Sequence, residues 1–329
     1  MEIKKTIESS KRCKRKMKYF TVPITGDKIP AVGFGSGTKW QIRKRGRDEV
    51  ERKLVDEELV NAIKTALISG FLHLDTAEFY TTREEIGLGI KESGIPREKI
   101  WLTDKYDPGW IDGGIVYVGN QNGPYDSLVN GLKEMELGYV DLFLIHSPFF
   151  GESTSGKITV EEAWRQMEKL QKKGYAKNIG VSNFNVEMIE KIFKICEVKP
   201  QVNQIEFHCY LQDQSPGIVK FCKENNIFVE AYSPLTPILS HKMDKASAKP
   251  PLDPIIAELC EKYGVTETQL ILNWVYSIGI LPITTSSNPK RMAEILTITD
   301  FEVSPKDIEK ITEVGKSFHF RNGLHEIFE

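Results

Sequence analysis

Four residues with complementary proton chemistry stand in the first half of the chain: Asp75, Tyr80, Lys105 and His146. A free phenol has a pKa near ~10 and is too weak an acid to donate readily at neutral pH. An ammonium beside it favours the phenolate and lowers that value. Lys105 can be that ammonium, Asp75 can keep it charged and in place, and Tyr80 then becomes a general acid. His146 can offer a ring N–H to a substrate carbonyl and stabilise the alkoxide that develops there. General-acid help of this kind is worth ~10²–10⁴ in rate. Singly, each residue has a plainer reading: Asp75 as a turn cap, Lys105 as a solvated cation, Tyr80 as a packing ring, His146 as a hydrogen-bonded bystander. Only a scaffold that gathers all four makes them a proton-delivery device.

The hydrophobic pattern supplies such a scaffold. Apolar runs at 31–35, 72–74, 100–103, 140–145, 176–181, 202–205, 228–231 and 281–283 read as eight strands, several apolar at consecutive positions as in parallel sheets covered on both faces. Helical periodicity fills the gaps. Val55, Leu59, Ala62, Ile63, Ala66 and Leu67 recur at the helical spacing until Gly70 stops them. Thr159 with Glu162, and Thr266 with Gln269, predict capping boxes ahead of two further helices, the first ended by Gly174. Residues 19–22 and 28–32 around Thr25-Gly26-Asp27 predict a short hairpin. The expected fold is α/β, a (β/α)8 TIM barrel with an N-terminal β-hairpin and long βα loops at the C-terminal face. Asp75, Tyr80, Lys105 and His146 then follow three adjacent strands and meet at its mouth. Residues 109–124 and 236–254 are the long loops, the second a lid over a bound molecule. A doubly wound sheet is the competitor, but Gly33-Phe34-Gly35-Ser36-Gly37 lacks the GxGxxG spacing, and a charged stretch follows it.

Other mouth positions fit ligand binding. Gly37 and Thr38 follow the first barrel strand, where a small residue permits close backbone approach. After the eighth, Asn288 as N-cap and Pro289 at the first helical position mark a helix start, with Arg291 able to hold a phosphate in bidentate fashion. Trp40, Tyr106, Trp110, Phe149 and Phe150 suggest an apolar pocket, with core packing as the plain alternative.

The segments His73-Leu74-Asp75-Thr76-Ala77-Glu78-Phe79-Tyr80, Tyr139-Val140-Asp141-Leu142-Phe143-Leu144-Ile145-His146-Ser147-Pro148, Ile179-Gly180-Val181-Ser182-Asn183-Phe184 and Val202-Asn203-Gln204-Ile205-Glu206-Phe207-His208 resemble, in order, the signatures of the aldo-keto reductase family. The similarity runs from about Tyr19 to Phe318. Within the family it is nearest to fungal reductases of conjugated polyketones and α-keto amides, through Gly35-Ser36-Gly37-Thr38-Lys39-Trp40, His146-Ser147-Pro148-Phe149 and Pro282-Ile283-Thr284-Thr285-Ser286-Ser287. The resemblance implies Asp75, Tyr80, Lys105 and His146 as the catalytic tetrad and NADPH (NADP+) as cofactor. It implies that Ser182, Asn183 and Gln204 bond the carboxamide, that Tyr232 stacks on the nicotinamide, and that Ser233 and Leu235 line the pyrophosphate path. Gly37, Thr38, Lys39, Thr285, Ser286, Ser287 and Arg291 complete the implied cofactor set, and Trp40, Tyr80, Trp110, His146 and Phe149 the substrate set. Ser182 and Asn183 can instead be helix N-caps. Thr285 departs from the family's usual Lys. The implied substrate is a small carbonyl compound, an α-dicarbonyl above all.

Composition narrows the alternatives. The chain has 329 residues and a net charge of −2, which suggests neither nucleic acid nor membrane as partner, and its apolar runs fall short of the ~20 residues that span a bilayer. Cys13, Cys196, Cys209, Cys222 and Cys260 are scattered, as expected of free thiols in a reducing compartment, with the cytoplasm as expected address. No spacing suggests a metal site. Residues 1–18 carry eight Lys and Arg residues and read as a basic disordered tail, leaving 19–329 as a single catalytic domain, monomeric or homodimeric. Met17, just before the first strand, is a candidate second start. Two other classes remain: a barrel that binds cofactor as a regulatory or structural protein without turnover, and an anion-surface protein working through the basic tail.

Overall fold

The computed structural model describes residues 18–45, 51, 54–239 and 250–328, so the basic tail with Cys13 and Met17, and most of the expected lid, lie outside the described residues. An antiparallel hairpin comes first, β1 (Tyr19–Thr21) on β2 (Lys28–Pro30). Barrel strands follow as β3 (Gly33–Gly35), β4 (His73–Asp75) and β5 (Trp101–Tyr106). A second hairpin, β6 (Gly109–Asp112) on β7 (Ile115–Val118), then interrupts them. The barrel resumes with β8 (Val140–Ile145), β9 (Ala176–Ser182), β10 (Val202–Glu206), β11 (Phe228–Tyr232) and β12 (Leu281–Thr284). These eight are all parallel and closed, β12 pairing back onto β3. The chain is a (β/α)8 barrel.

Several of its strands are apolar at consecutive positions because both faces are dry: every residue of β5, β8 and β10 is buried. Inside the barrel, Trp101, Leu142, Leu144, Val202, Phe228 and Ile283 form one apolar cluster. The first hairpin closes the bottom of it with Val22 and Ile29. Polar bonds fix that plug: Asn178 on β9 donates to Asp27 Oδ2 at 2.8 Å and accepts from Thr25 Oγ1 at 2.8 Å. The opposite, C-terminal end is left as the mouth.

The helices start and stop where their chemistry dictates. Asp56 caps the helix Glu57–Ser69 by accepting from the Leu59 N–H, and Gly70, at φ 116°, ends it in the left-handed region. Leu59, Val60, Ala62, Ile63, Ala66 and Leu67 form its buried stripe. The Thr266/Gln269 box is complete. The Thr159 box is only half formed, because Glu162 Oε1 takes a bond from Gln166 instead of turning back to the cap. The stretch 109–124 is no irregular loop either. Gly113 and Gly114, at φ 55° and 77°, make the two-residue turn that joins β6 to β7. Among the described residues no helix is long and apolar enough to cross a membrane.

Candidate active site

Asp75 ends β4, Lys105 lies near the end of β5, and His146 follows β8; a 3-10 turn, Glu78–Tyr80, carries Tyr80 over them. Lys105 is fully buried, and its Nζ donates to Asp75 Oδ1 at 2.6 Å and to the Thr76 carbonyl at 2.9 Å. Burial opposes its charge, yet the Asp75 carboxylate and the Tyr80 hydroxyl outweigh burial and raise the ammonium above its ordinary range. Its Nζ stands 5.3 Å from the centre of the Tyr80 ring. For Tyr80 the balance differs from the expectation of a lowered pKa. Burial pushes the phenol up, Lys105 pulls it down, and burial wins, so the phenol is raised and fully protonated at neutral pH.

His146 Nε2 lies 3.4 Å from Tyr80 Oη. Burial, aided by the Lys105 charge, holds this imidazole well below its ordinary pKa, so it is neutral. The rings of Phe79, Tyr80 and Trp110 surround it edge-on at 6.2, 5.3 and 5.1 Å, and Phe149 lies 6.0 Å beyond Trp110. Two buried polar atoms in this nest, His146 Nδ1 and Trp110 Nε1, meet no hydrogen-bond partner among the described residues. Most buried polar atoms find a partner, which makes these two candidates to meet a ligand.

The close approach that requires Gly37 is to the Tyr80 ring: a Cβ there would stand 2.9 Å from Tyr80 Cζ. Gly37→Ala is therefore expected to push the ring off its seat over Lys105 and lower kcat at least ~10-fold, as small misplacements of reacting groups do. Steady-state kinetics beside thermal unfolding will test this, since the lesion should spare stability far more than rate.

The amide and hydroxyl side chains at the ends of β9 and β10 form one buried network. Ser182 Oγ donates to the Gln204 carbonyl at 2.8 Å. Asn183 Nδ2 donates to the His146 carbonyl at 3.0 Å, while Asn183 Oδ1 accepts from Tyr232 Oη at 2.8 Å and Gln214 Nε2 at 2.9 Å. Neither Ser182 nor Asn183 is an N-cap; Asn185 caps the helix Val186–Phe193. Thr38, Thr81, Asn183 and Ser233, each just past a strand or turn at the mouth, hold left-handed φ values of 49°, 57°, 65° and 55°. Such backbone costs about 1–3 kcal/mol per residue and gathers where ligands are gripped. Leu235 lies half-buried at the start of the turn Thr236–Ile238.

Across the mouth, Lys39 Nζ donates to Ser287 Oγ at 2.8 Å, over the Trp40 ring. Asn288 caps the helix Pro289–Ile295 through the Lys290 and Arg291 N–H groups, and Ser286 Oγ accepts from Asn288 N at 3.1 Å. Lys39, Lys290 and Arg291 are exposed here, next to three hydroxyls. Trp40, expected in the substrate pocket, is fully buried with Nε1 toward Thr285 Oγ1, on this side of the mouth and not among the rings around His146. Tyr106 is likewise a core residue, its Oη bonded to the Asn120 carbonyl.

Several residues join the site without having been singled out from sequence. Phe79 supplies a pocket wall. Glu230 and Gln214 bond Gln204 and Asn183. Asn322 ties the C-terminal segment to Glu206, and Arg321 donates to the Gln214 carbonyl. Glu230 alone gave a signal, a carboxyl in the middle of an apolar strand; the others look like ordinary polar or aromatic surface in one dimension.

Known proteins resemble this arrangement over nearly its whole length. The model of the Aldo/keto reductase family matches residues 34–316. The NADPH-dependent alpha-keto amide reductase of Saccharomyces cerevisiae is 44% identical over 298 residues, covering 90% of this chain and 90% of that one. The NAD/NADP-dependent indole-3-acetaldehyde reductase of Schizosaccharomyces pombe is 34% identical over 309 residues, 94% of this chain and 99% of its own. Among solved structures, a silkworm (Bombyx mori) aldo-keto reductase complexed with NADPH superimposes with a TM-score of 0.79 at 30% identity, covering 93% of this chain and 90% of that one.

Proposed function

Given that the chain belongs to the aldo/keto reductase family, we propose that it reduces ketones and aldehydes to alcohols with NADPH, using Tyr80 as proton donor. One observation carries this reading: the buried Asp75–Lys105 pair lies beneath the Tyr80 ring, beside a neutral His146 and two orphaned ring nitrogens. A regulatory barrel has no use for so costly a cluster.

The donor set suits the cofactor. A carboxamide both donates and accepts: Ser182 and Asn183 can exchange their mutual bond for it, and Gln204 offers its amide oxygen while its Nε2 stays on Asp75 and Glu230. Tyr232 offers a ring face, Gly37, Thr38, Ser233 and Leu235 the path beyond it, and Lys39, Thr285, Ser286, Ser287 and Arg291 the cations and hydroxyls a phosphate needs. NADPH, when bound, supplies the hydride that goes to the carbonyl carbon. Everything else falls to the chain. His146 and Trp110 orient the carbonyl oxygen with ring N–H groups, and Phe79, Trp110 and Phe149 exclude water from it. As negative charge grows on that oxygen, Tyr80 Oη gives it a proton. The phenolate left behind is held by Lys105 until solvent returns the proton.

Flat apolar walls beside hydrogen-bond donors favour compact α-dicarbonyl compounds: conjugated polyketones, α-keto amides and isatin-like rings. The first test is loss of nicotinamide absorbance when NADPH meets an α-diketone or an α-keto amide. Turnover is the expected result; tight NADPH binding without turnover of any carbonyl would replace this reading with that of a regulatory or structural barrel. Arg291→Ala is expected to weaken NADPH binding roughly 10–100-fold, the worth of a lost charge-assisted bond, with little effect on NADH. Fluorescence titration with each dinucleotide checks it, and equal losses for both would remove Arg291 from the phosphate site.

A further inference from the structure

Glu230 stands in the middle of β11 between Val229 and Ala231, wholly buried. A carboxyl in such a place is expensive unless partnered or neutral. Among the described residues its one bond comes from Gln204: the amide Nε2 donates to Glu230 Oε2 and to Asp75 Oδ2, both at 2.9 Å. Asp75 uses its other oxygen for Lys105. A single amide nitrogen thus spans two carboxyl groups, and only one of them has an ammonium. Glu230 Oε1 meets no donor among the described residues. The charged and polar groups facing Glu230 are Asp75 from β4, Lys105 from β5 and Gln204 from β10; on the β12 side its register partner is the uncharged Leu281.

We propose that Glu230 is a positioning residue for the proton donor: kept neutral, it holds Gln204 across to Asp75 and leaves a single carboxylate beside Lys105, and once ionised it suppresses proton transfer from Tyr80. The inference rests on the reductase reading given above. Burial, partly offset by the Gln204 bond, pushes Glu230 up to about 8. In the neutral state, proton donation leaves Asp75 and Tyr80 as two anions around one ammonium. With Glu230 ionised there are three sharing the Lys105 charge, so less of it remains to lower the phenol, whose pKa rises further. One unit of that rise is a tenfold loss in the equilibrium for giving up the proton.

Glu230→Gln keeps an oxygen for the Gln204 amide and cannot ionise. With both substrates saturating, kcat would be measured at about pH 6.5 and about pH 9, on either side of the Glu230 transition. The parent's ratio of the two rates is expected to be at least ~3-fold larger than the variant's, because only the parent gains a charge between them. Equal ratios in a parent that turns over would overturn the inference alone, whereas a parent without turnover would take the reductase reading down with it.

Two arms need no turnover. In protein carrying carbon-13 at glutamate side-chain carboxyls, one resonance should titrate near pH 8, as the Glu230 value requires, and vanish in Glu230→Gln; no glutamate moving in that range would overturn the inference. Stability gives the second. A folded-state pKa above the unfolded carboxylate value of about 4.3 contributes stability that is complete below it and lost as pH rises through the folded value. Glu230→Gln escapes that loss, so its melting temperature should climb relative to the parent between about pH 5 and about pH 9; a constant offset between the two would overturn the charge argument.

Discussion

Tyr80→Phe is expected to lower kcat/KM for carbonyl reduction by ~10²–10⁴, the usual worth of a placed general acid, with NADPH affinity essentially unchanged. The substitution removes one oxygen and little else. The ring still seats against Gly37, and Lys105 keeps its bonds to Asp75 and Thr76. The lost hydroxyl interacts with Lys105 and makes a long bond, 3.4 Å, to His146 Nε2; Lys105 keeps its other partners, so stability should change by only about 1 kcal/mol. Nicotinamide absorbance measures the rate, fluorescence titration the affinity and thermal unfolding the fold. A Tyr80→Phe protein that turns over as the parent does would remove Tyr80 as proton donor, whatever the other residues do.

Lys105→Met is expected to be the most disruptive single change in the site. It leaves the Asp75 carboxylate buried with, among the described residues, only the Gln204 amide as partner. Breaking one half of a buried ion pair costs about 3–5 kcal/mol, since the surviving charge stays out of water. Turnover should vanish as well, because among the described residues Lys105 is the cation that acts on Tyr80 and can hold the phenolate. Asp75→Asn added to Lys105→Met removes the stranded charge. The double variant should therefore recover much of the stability and none of the rate, a split that a purely structural ion pair would not produce. Denaturant unfolding and NADPH consumption on the four proteins of the cycle read both halves.

The sequence revealed the barrel because parallel strands buried on both faces leave apolar residues at consecutive positions. Each of the eight starts within two residues of the expected position. Boundaries were less visible where strands run on into functional residues: β5 continues through Asp104 and Lys105, which no apolar pattern can flag. The β6–β7 hairpin escaped because Ile115, Val116 and Val118 are exposed and so do not alternate against a core, although Asp112-Gly113-Gly114 is a hairpin turn signal. At the mouth, positions were legible and energetics were not. Residue order places Tyr80 near Lys105, but whether burial or charge governs the phenol depends on how tightly Gly37 and His146 enclose it. Trp40 shows the same limit: proximity in the chain to cofactor residues says nothing about which side of the mouth a ring faces.

The circle of strands is sealed where β12 meets β3, by the pairs Ile283–Gly33 and Thr284–Phe34. That is a narrow seam between segments from opposite ends of the chain, and contacts so far apart in sequence form late. A growing polypeptide that has not yet delivered Leu281 carries β3 and β11 with one side unpaired, and bare strand sides are templates for other chains. The barrel therefore loses its last open strand sides only with the final strand. A ribosome that stalls before that point, or a frameshift that removes it, leaves two adhesive borders where the finished barrel has none.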